Sequence, residues 1–293
     1  MRLKGVFAGK TALFQLVLLF AFILAGSILS SFATFLGGRF LVYDLYQNPD
    51  ALRFAQFFSS VLTFLAPSLL VAWLCSTNLY DYLFIKSFPN LRVVSLTFAS
   101  MILLLPLITL AGAINKSIKL PAFLEALENW MISMEQTMAQ MTELLFAGGG
   151  VATFFFNLFV IAIVAAITEE FFFRGILQRI AGKWFTNHHL IIWLVAFVFS
   201  AIHLQFYGFV PRLLMGAFFG YLVFWSKNIW IPILAHFFNN ATAVIGMSNS
   251  KWKDNEFVTG DIPQSLWVHL AVTAAISIVV FYLCVKKLRK NFD

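Results

Sequence analysis

The sequence predicts an all-α polytopic membrane protein, and its composition, its apolar stretches and the placement of its charges support this prediction. Of the 293 residues, 61% are hydrophobic and only 11% are charged, and the mean hydropathy is +0.86. A soluble domain holds roughly 25% charged and about 45–50% apolar residues. The composition therefore excludes a soluble domain, a disordered chain, a collagen and a coiled coil.

Eight apolar stretches are candidate transmembrane helices, since a helix needs about 20 mostly apolar residues to cross a bilayer. They cover residues 11–36, 55–76, 93–114, 150–180, 189–207, 211–226, 229–247 and 265–285. The first follows the basic residues Arg2, Lys4 and Lys10. It continues past Ala25-Gly26-Ser27, which resembles a cleavage site, so we expect a retained anchor and not a signal peptide.

The charges also predict the orientation of the chain. With the N-terminus in the cytoplasm, most Lys and Arg residues fall inside, while carboxylates such as Asp44, Glu135 and Asp261 fall outside. An even number of spans then places the basic C-terminal end inside as well. We expect a multi-pass integral membrane protein, of a bacterial inner membrane, with both termini cytoplasmic. The net charge of +7 reflects loops facing anionic lipid, so no nucleic-acid partner is expected.

One segment outside the spans, residues 121–146, has apolar residues at helical spacing with acidic residues between them. It predicts an amphipathic helix that either lies on the outer membrane surface or forms a lid over the outer ends of the spans. The expected organisation is three N-terminal transmembrane helices in 1–120, this element in 121–149, a core in 150–247, and a loop, last span and basic tail in 248–293.

Within the fourth apolar stretch, two adjacent carboxylates, Glu169 and Glu170, are followed by Arg174. Glu170 and Arg174 are four residues apart, so they can form an ion pair on one helix face. Glu169 points about 100° away. Left without that partner, it can act as a general base or acid. The alternative is that both glutamates mark the cytoplasmic end of the span.

Two further apolar stretches carry polar residues. His203 lies near the far end of the fifth, and His236 and Asn240 share one helix face in the seventh. A single histidine in a membrane is typically a hydrogen-bond partner between helices. Because unpaired polar groups are costly in hydrocarbon, we expect these side chains and Glu169 to converge into a water-activating site. We expect this site in the cytoplasmic half or near mid-membrane, open to water from the cytoplasmic side.

The motifs Glu169-Glu170-x-x-x-Arg174, Phe199-x-x-x-His203 and His236-x-x-x-Asn240 resemble those of the CAAX prenyl protease and bacteriocin-processing family, also called CPBP or Abi. Its members are intramembrane endopeptidases. The resemblance covers about residues 150–247, with all three motifs complete and in the family's order. It implies a catalytic core of four helices, the fourth to the seventh.

The resemblance also implies roles for the site residues. Glu169 corresponds to the catalytic glutamate that, with His203, activates water for attack on a peptide carbonyl. His236 and Asn240 correspond to the pair that stabilises the oxyanion, and imidazole N–H and amide NH₂ groups are suitable donors. The substrate is expected to be a lipidated or membrane-bound peptide or protein.

Glu170 and Arg174 correspond to the family's supporting pair, and Asn239 is expected to face away from the site. No metal cofactor is favoured, because the chain lacks a His-Glu-x-x-His motif. Zinc is the alternative, since two histidines and a glutamate can hold it with an open fourth position. Its ligands would be Glu169, His203 and His236.

Two other classes of function use the same buried polar residues. The first is a transporter, in which they form a proton relay. The lack of paired discontinuous helices and of inverted repeats counts against it. The second is a catalytically silent membrane protein that acts by binding or in immunity, and the intact motifs count against it.

Overall fold

The computed structural model describes residues 3–41, 48–249 and 251–292, and these ranges contain helices and no β-strand. The predicted all-α fold is confirmed. Arg2 and Asp44, which entered the prediction of the orientation, lie outside the described residues.

The described part of the chain forms the helices α1 Ala12–Leu41, α2 Pro49–Cys75, α3 Leu79–Tyr82, α4 Leu91–Ser117, α5 Glu125–Phe146, α6 Gly150–Ala181, α7 His188–Ala201, α8 Phe209–Ser226, α9 Trp230–Ser248, α10 Glu256–Thr259 and α11 Trp267–Arg289. Helix α2 runs through a π-helical turn at Val61–Leu65. Helix α6 runs through two, at Leu158–Val164 and Phe171–Leu177.

Six helical segments of the described chain are long and apolar enough to cross a membrane, namely α1, α2, α4, α6, and α8 and α11 with their preceding turns. Helix α7 is apolar but has only 14 residues. Helix α9 has 19 residues, and His236, Asn239 and Asn240 lower its mean hydropathy. The chain is thus a multi-pass membrane protein, with α7 and α9 at the positions of the two remaining predicted spans.

Two predicted boundaries differ from the structure. Helix α2 begins at Pro49 and not at residue 55, because the Asn48 side chain accepts hydrogen bonds from two N–H groups of the first turn. Helix α7 ends at Ala201 and not at residue 207. Leu204 has a left-handed φ of 54°, which cannot continue a right-handed helix.

Helices α6 to α9 lie between two apolar clusters. One cluster joins α1 and α2 to α6 and α7, and its fully buried members include Leu19 and Phe173. The other joins α4 and α11 to α8 and α9, with Met101 and Leu222 at its centre. The four helices predicted as the core are therefore enclosed on both sides.

Helices α7 and α8 pack closely because α8 carries glycines at the contact. A Cβ atom on Gly220 would lie 2.9 Å from Ile192, and one on Gly216 would lie 3.0 Å from Phe199. Small residues at helix contacts allow the close approach on which membrane helix packing depends. The contact also brings the backbone of α8 within reach of side chains on α6.

Helix α5, the amphipathic element, is attached to the rest of the bundle at two places. The buried Arg53 of α2 donates hydrogen bonds to the carbonyls of Leu145 and Ala147 at its C-terminal end. Further along, Trp130 packs on Phe206 with ring centroids 5.1 Å apart. These contacts are of the kind expected for the lid alternative.

Candidate active site

The carboxylates of α6 lie between two irregular stretches of the helix. Glu169 and Glu170 end the α-helical stretch Ala165–Glu170, which follows one π-helical segment and precedes the other. π-helical turns within α-helices are frequently found at functional sites. The distortion of α6 is thus centred on the acidic pair.

Arg174 is fully buried and holds two partners on different helices. Its Nη1 donates to Oε1 of Glu170 at 2.6 Å, and its Nη2 donates to the carbonyl of Gly216 at 2.8 Å. Three aromatic rings lie 4.8–5.7 Å from the guanidinium carbon, those of Phe173, Phe199 and Phe219. The ion pair expected from the spacing is present, and it ties α6 to α8 in surroundings that compensate a buried cation.

His236 of α9 lies against both carboxylates. Its Nδ1 donates to Oε1 of Glu170 at 2.9 Å, because a carboxylate can only accept. Its Nε2 lies 3.8 Å from Oε2 of Glu169. The ring stacks on Phe219 with centroids 5.2 Å apart. The imidazole is therefore fixed, and Nε2 is the nitrogen nearest Glu169.

Glu169 differs from Glu170 in its surroundings. Its side chain is 16% exposed, whereas that of Glu170 is completely buried. Oε2 of Glu169 makes no hydrogen bond to the described residues. The direct cation contact goes to Glu170, so Glu169 keeps a carboxylate oxygen that is free to accept from water or substrate.

His203 lies in the turn after α7. Its Nδ1 donates to the Phe199 carbonyl at 2.7 Å, so a neutral imidazole has Nε2 as its acceptor. The Phe199 ring contacts both imidazoles, with centroids 5.1 Å from His203 and 5.8 Å from His236. The Phe199 ring thus joins the two histidines, of which His236 is the one next to Glu169.

Asn240 contacts α6 one step further along α9. Its Nδ2 donates to the carbonyl of Ile161 at 2.9 Å. The Nδ2 of the neighbouring Asn239 donates to Oδ1 of Asn240 at 3.1 Å, and the expectation that Asn239 faces away from the other site residues stays a prediction. An amide NH₂ has two hydrogens, so Asn240 keeps one donor after these contacts.

Arg212 is a further charged residue near the site that the three motifs do not include. It lies in the first turn of α8, and its Nη2 donates to Oε1 of Gln205 at 2.8 Å. Its charge also interacts electrostatically with Glu169 and His203. The available signal was a cation at the start of an apolar stretch, directly after the His203 segment.

The polar residues next to Glu169 lead towards the end of the bundle that carries α5. Arg212 also interacts with Glu135 of α5, whose carboxylate accepts from the Tyr207 backbone N–H at 3.3 Å. Lys86 and Lys227 mark the opposite end. The side of the membrane from which water reaches the site stays a prediction.

The residues that would form the alternative zinc site are not arranged as a metal cage. Among the described residues, no group of three or more His, Cys, Asp or Glu side chains is placed to hold a metal ion. Nδ1 of His203 and Nδ1 of His236 contact a carbonyl and a carboxylate, which leaves Nε2 of each ring available.

The carboxylate, imidazole and amide groups of the site can together bind and polarise water. A buried carboxylate with a free oxygen can accept a proton, and imidazole and amide groups can donate to a developing negative charge. The Glu170–Arg174 pair and the phenylalanine rings fix the positions of His236 and of the helices that carry these groups.

Comparison with known proteins is consistent with this arrangement. Residues 151–242 match the family model described as type II CAAX prenyl endopeptidase Rce1-like. The uncharacterized protein YpbD of Bacillus subtilis (strain 168) is 25% identical over 89 residues, which are 29% of this chain and 42% of that protein. The match thus spans less than half of that relative, and no solved structure matches significantly. The family match confirms the resemblance seen in the motifs, because residues 151–242 are similar to the Rce1-like CAAX endopeptidase model over the stretch that carries all three motifs.

Proposed function

We propose that this protein is an intramembrane endopeptidase that hydrolyses a peptide bond with a water molecule activated by Glu169 and His203. His236 and Asn240 stabilise the oxyanion, and Glu170 and Arg174 hold the site in place. The observation that carries this proposal is Oε2 of Glu169, buried and without a hydrogen-bond donor, 3.8 Å from Nε2 of His236.

The proposed first step is attack of water on the substrate carbonyl carbon. Glu169 takes a proton from the water as its oxygen forms a bond to that carbon, and the carbonyl π electrons move to oxygen. The result is a tetrahedral oxyanion and a protonated Glu169. Nε2 of His203 is left as an acceptor by the Phe199 contact, so it can orient the same water.

The second step breaks the bond between the carbonyl carbon and the amide nitrogen. The oxyanion re-forms the carbonyl, and the proton held by Glu169 passes to the leaving nitrogen, which gives a free carboxyl group and a free amine. Preorganised donors aimed at the oxyanion supply a large part of the rate enhancement in such reactions.

The contacts of His236 add a condition to its proposed role. Its Nδ1 hydrogen already goes to Glu170, so Nε2 can donate to an oxyanion only when the ring is protonated. Two carboxylates border the ring, with Oε1 of Glu170 2.9 Å from Nδ1 and Oε2 of Glu169 3.8 Å from Nε2. Asn240 supplies the second donor through the N–H that Ile161 does not take.

The proposed substrate is a lipidated or membrane-bound peptide. Glu169, Glu170 and His236 are in the middle of helices enclosed by other helices, where a soluble peptide would have to leave water to reach them. A substrate held in the bilayer reaches this depth without that cost. The family match supports the same substrate class.

The test is cleavage by purified protein in lipid nanodiscs. Wild type, Glu169→Gln and the control Glu256→Gln are incubated with a library of lipidated and transmembrane peptides, and products are identified by mass spectrometry. We expect products from wild type and from the control, but not from Glu169→Gln. Glu256 is a suitable control because it is exposed and lies in the short helix α10, between α9 and α11. Cleavage by Glu169→Gln at the wild-type rate, or by none of the three, would contradict the proposal.

The same preparations distinguish a proton relay from an endopeptidase. A relay through Glu169 predicts proton flux in liposomes that the Glu169→Gln substitution abolishes, without peptide products. Flux of that kind in the absence of cleavage would favour the transporter.

A further inference from the structure

A cavity of about 360 Å³ lies at the end of the bundle opposite α5, between α6, α7 and α8. It is separate from the candidate active site. Its polar lining consists of Gln178, Arg179, Thr186, His188 and Lys227, and no carboxylate is among the described residues that line it. The cavity is therefore a half-open cationic pocket that the proposed reaction does not use.

Two of its cations share one aromatic ring. The Arg179 guanidinium carbon lies 4.4 Å from the centroid of Phe84, and Nζ of Lys227 lies 6.0 Å from the same centroid. Burial, together with the neighbouring Arg179 and Lys86, lowers the pKa of Lys227 below its ordinary value. Cations held this close repel one another, and an anion between them would remove the repulsion.

The surrounding protein does not supply that anion. Nη2 of Arg179 donates to the backbone carbonyl of Asp81 at 2.8 Å, but its Nε is buried and has no partner among the described residues. The Asp81 carboxylate accepts from the Asn78 side chain and acts on Arg179 only from a distance. Arg179 and Lys227 thus form no ion pair with a carboxylate in the described chain.

The rest of the lining is apolar. Ile191, Ile192, Val223 and Phe224 form one side of the cavity, and His188 stacks on Phe224 with centroids 4.3 Å apart. Trp225 and Trp230 flank the turn that carries Lys227, as is typical of residues at a membrane–water interface. A charged opening beside an apolar wall at this depth fits a ligand with an anionic head and an apolar tail.

We propose that this cavity binds a phosphate group, with Arg179 and Lys227 as its cationic ligands. Arginine binds phosphate through paired N–H donors and lysine binds it as a point charge. Basic pockets between transmembrane helices bind anionic headgroups on the cytoplasmic side of membranes. The phosphate can come from an anionic phospholipid or from a soluble phosphate compound, and the apolar wall favours the lipid.

The experiment measures binding to the full-length protein in detergent by native mass spectrometry and by the shift in melting temperature. The probes are phosphatidylglycerol, zwitterionic phosphatidylcholine, and inorganic phosphate. The variants are Arg179→Gln, Lys227→Gln and Arg179→Lys. The matched control is Lys183→Gln, which removes one exposed charge from the same end of α6 but lies outside the cavity lining.

Phosphatidylglycerol is expected to bind wild type and the control at least tenfold more tightly than phosphatidylcholine. Arg179→Gln and Lys227→Gln are each expected to weaken its binding about tenfold, or about 1.4 kcal/mol. Arg179→Lys keeps the positive charge, so it should weaken phosphatidylglycerol binding less than Arg179→Gln. This difference separates the effect of losing the charge from the effect of a misfolded protein. The affinity should also fall as ionic strength rises.

Two further results identify the source of the phosphate or overturn the site. Stabilisation by inorganic phosphate alone, lost in the same two variants, would support the site and assign it to a soluble phosphate. Equal binding of the two lipids, or equal weakening by Lys183→Gln, would overturn the proposal. Its outcome is independent of the cleavage assay, since neither cation touches the candidate active site.

Discussion

Replacement of Arg174 by methionine tests whether the Glu170–Arg174 pair supports the bundle. Methionine is similar in length and apolar, so it fills much of the space inside the phenylalanine cage. It leaves the Glu170 carboxylate fully buried, with His236 as its remaining donor. Breaking a buried ion pair from one side costs about 3–5 kcal/mol, because the remaining charge is uncompensated. We expect Arg174→Met to destabilise the protein by an amount in this range.

The double variant Glu170→Gln/Arg174→Met separates this charge effect from a general loss of packing. The glutamine keeps an oxygen that can accept the hydrogen bond from His236. It carries no negative charge, so the loss of Arg174 leaves no unpaired buried charge. The double variant is therefore expected to be more stable than Arg174→Met alone, and less destabilised than the two single changes together. Neutral replacements for buried ion pairs are often no worse than the pair itself.

Unfolding in mixed detergent micelles, followed by circular dichroism, measures these differences. The matched control is Arg92→Met, an exposed arginine at the start of α4, for which a change within about 0.5 kcal/mol is expected. Two results would contradict this prediction. One is that Arg174→Met is as stable as wild type; the other is that the double variant is destabilised by the sum of the effects of Glu170→Gln and Arg174→Met. Either would show that Arg174 does not stabilise the buried charge of Glu170.

Three other changes test contacts that hold the bundle together. Gly26→Ala places a Cβ against the backbone carbonyl of Leu62 and should cost about 1–3 kcal/mol by forcing α1 away from α2, measured by micelle unfolding. Arg53→Met removes the hydrogen bonds to the end of α5, should cost about 1.5–3 kcal/mol, and should speed hydrogen exchange there. Asp261→Asn weakens the ion pair with Lys116. Because this contact lowers the pKa of the Asp261 carboxyl in the folded protein, wild type should have a larger free energy of unfolding than the variant at neutral pH. The difference should vanish as the pH falls through the lowered pKa.

Each of the three has an outcome that would contradict it. Gly37→Ala is the control for Gly26, since nothing lies within 4 Å of its added Cβ, and equal effects of the two would count against the close α1–α2 contact. For Arg53, unchanged exchange in α5 would mean that other contacts hold this helix. For Asp261, a difference that persists below the pKa would show that the ionised form is not its source.

The general fold could be predicted because membrane spans depend on local composition. A stretch of apolar residues must be helical in lipid to satisfy its own backbone, so no partner needs to be known. The prediction was weakest where polar residues interrupt a span. Helix α9 carries His236 and Asn240, and α7 ends at Ala201, so neither is among the six segments that qualify by length and hydropathy.

Part of the candidate site was also accessible from the sequence. The spacing of Glu170 and Arg174 places them on one helix face, and the structure shows their ion pair. The contact of His236 with both glutamates was not predictable in detail, because it joins residues on two helices that are more than 60 positions apart in the sequence. The roles of these residues in catalysis stay predictions until the cleavage assay is done.

The sequence by itself determined that the chain is a multi-pass helical membrane protein and which few polar residues are buried in it, since both follow from composition and from spacing along one helix. Only the tertiary structure decided which of those residues meet: His236 with Glu169 and Glu170, and Arg212 with the site from the start of α8. The physical reason is that contacts between helices depend on tilt, depth and rotation, which no single helix encodes. The same applies to the cationic cavity, whose charges come from separate helices and repel one another only once the bundle is assembled.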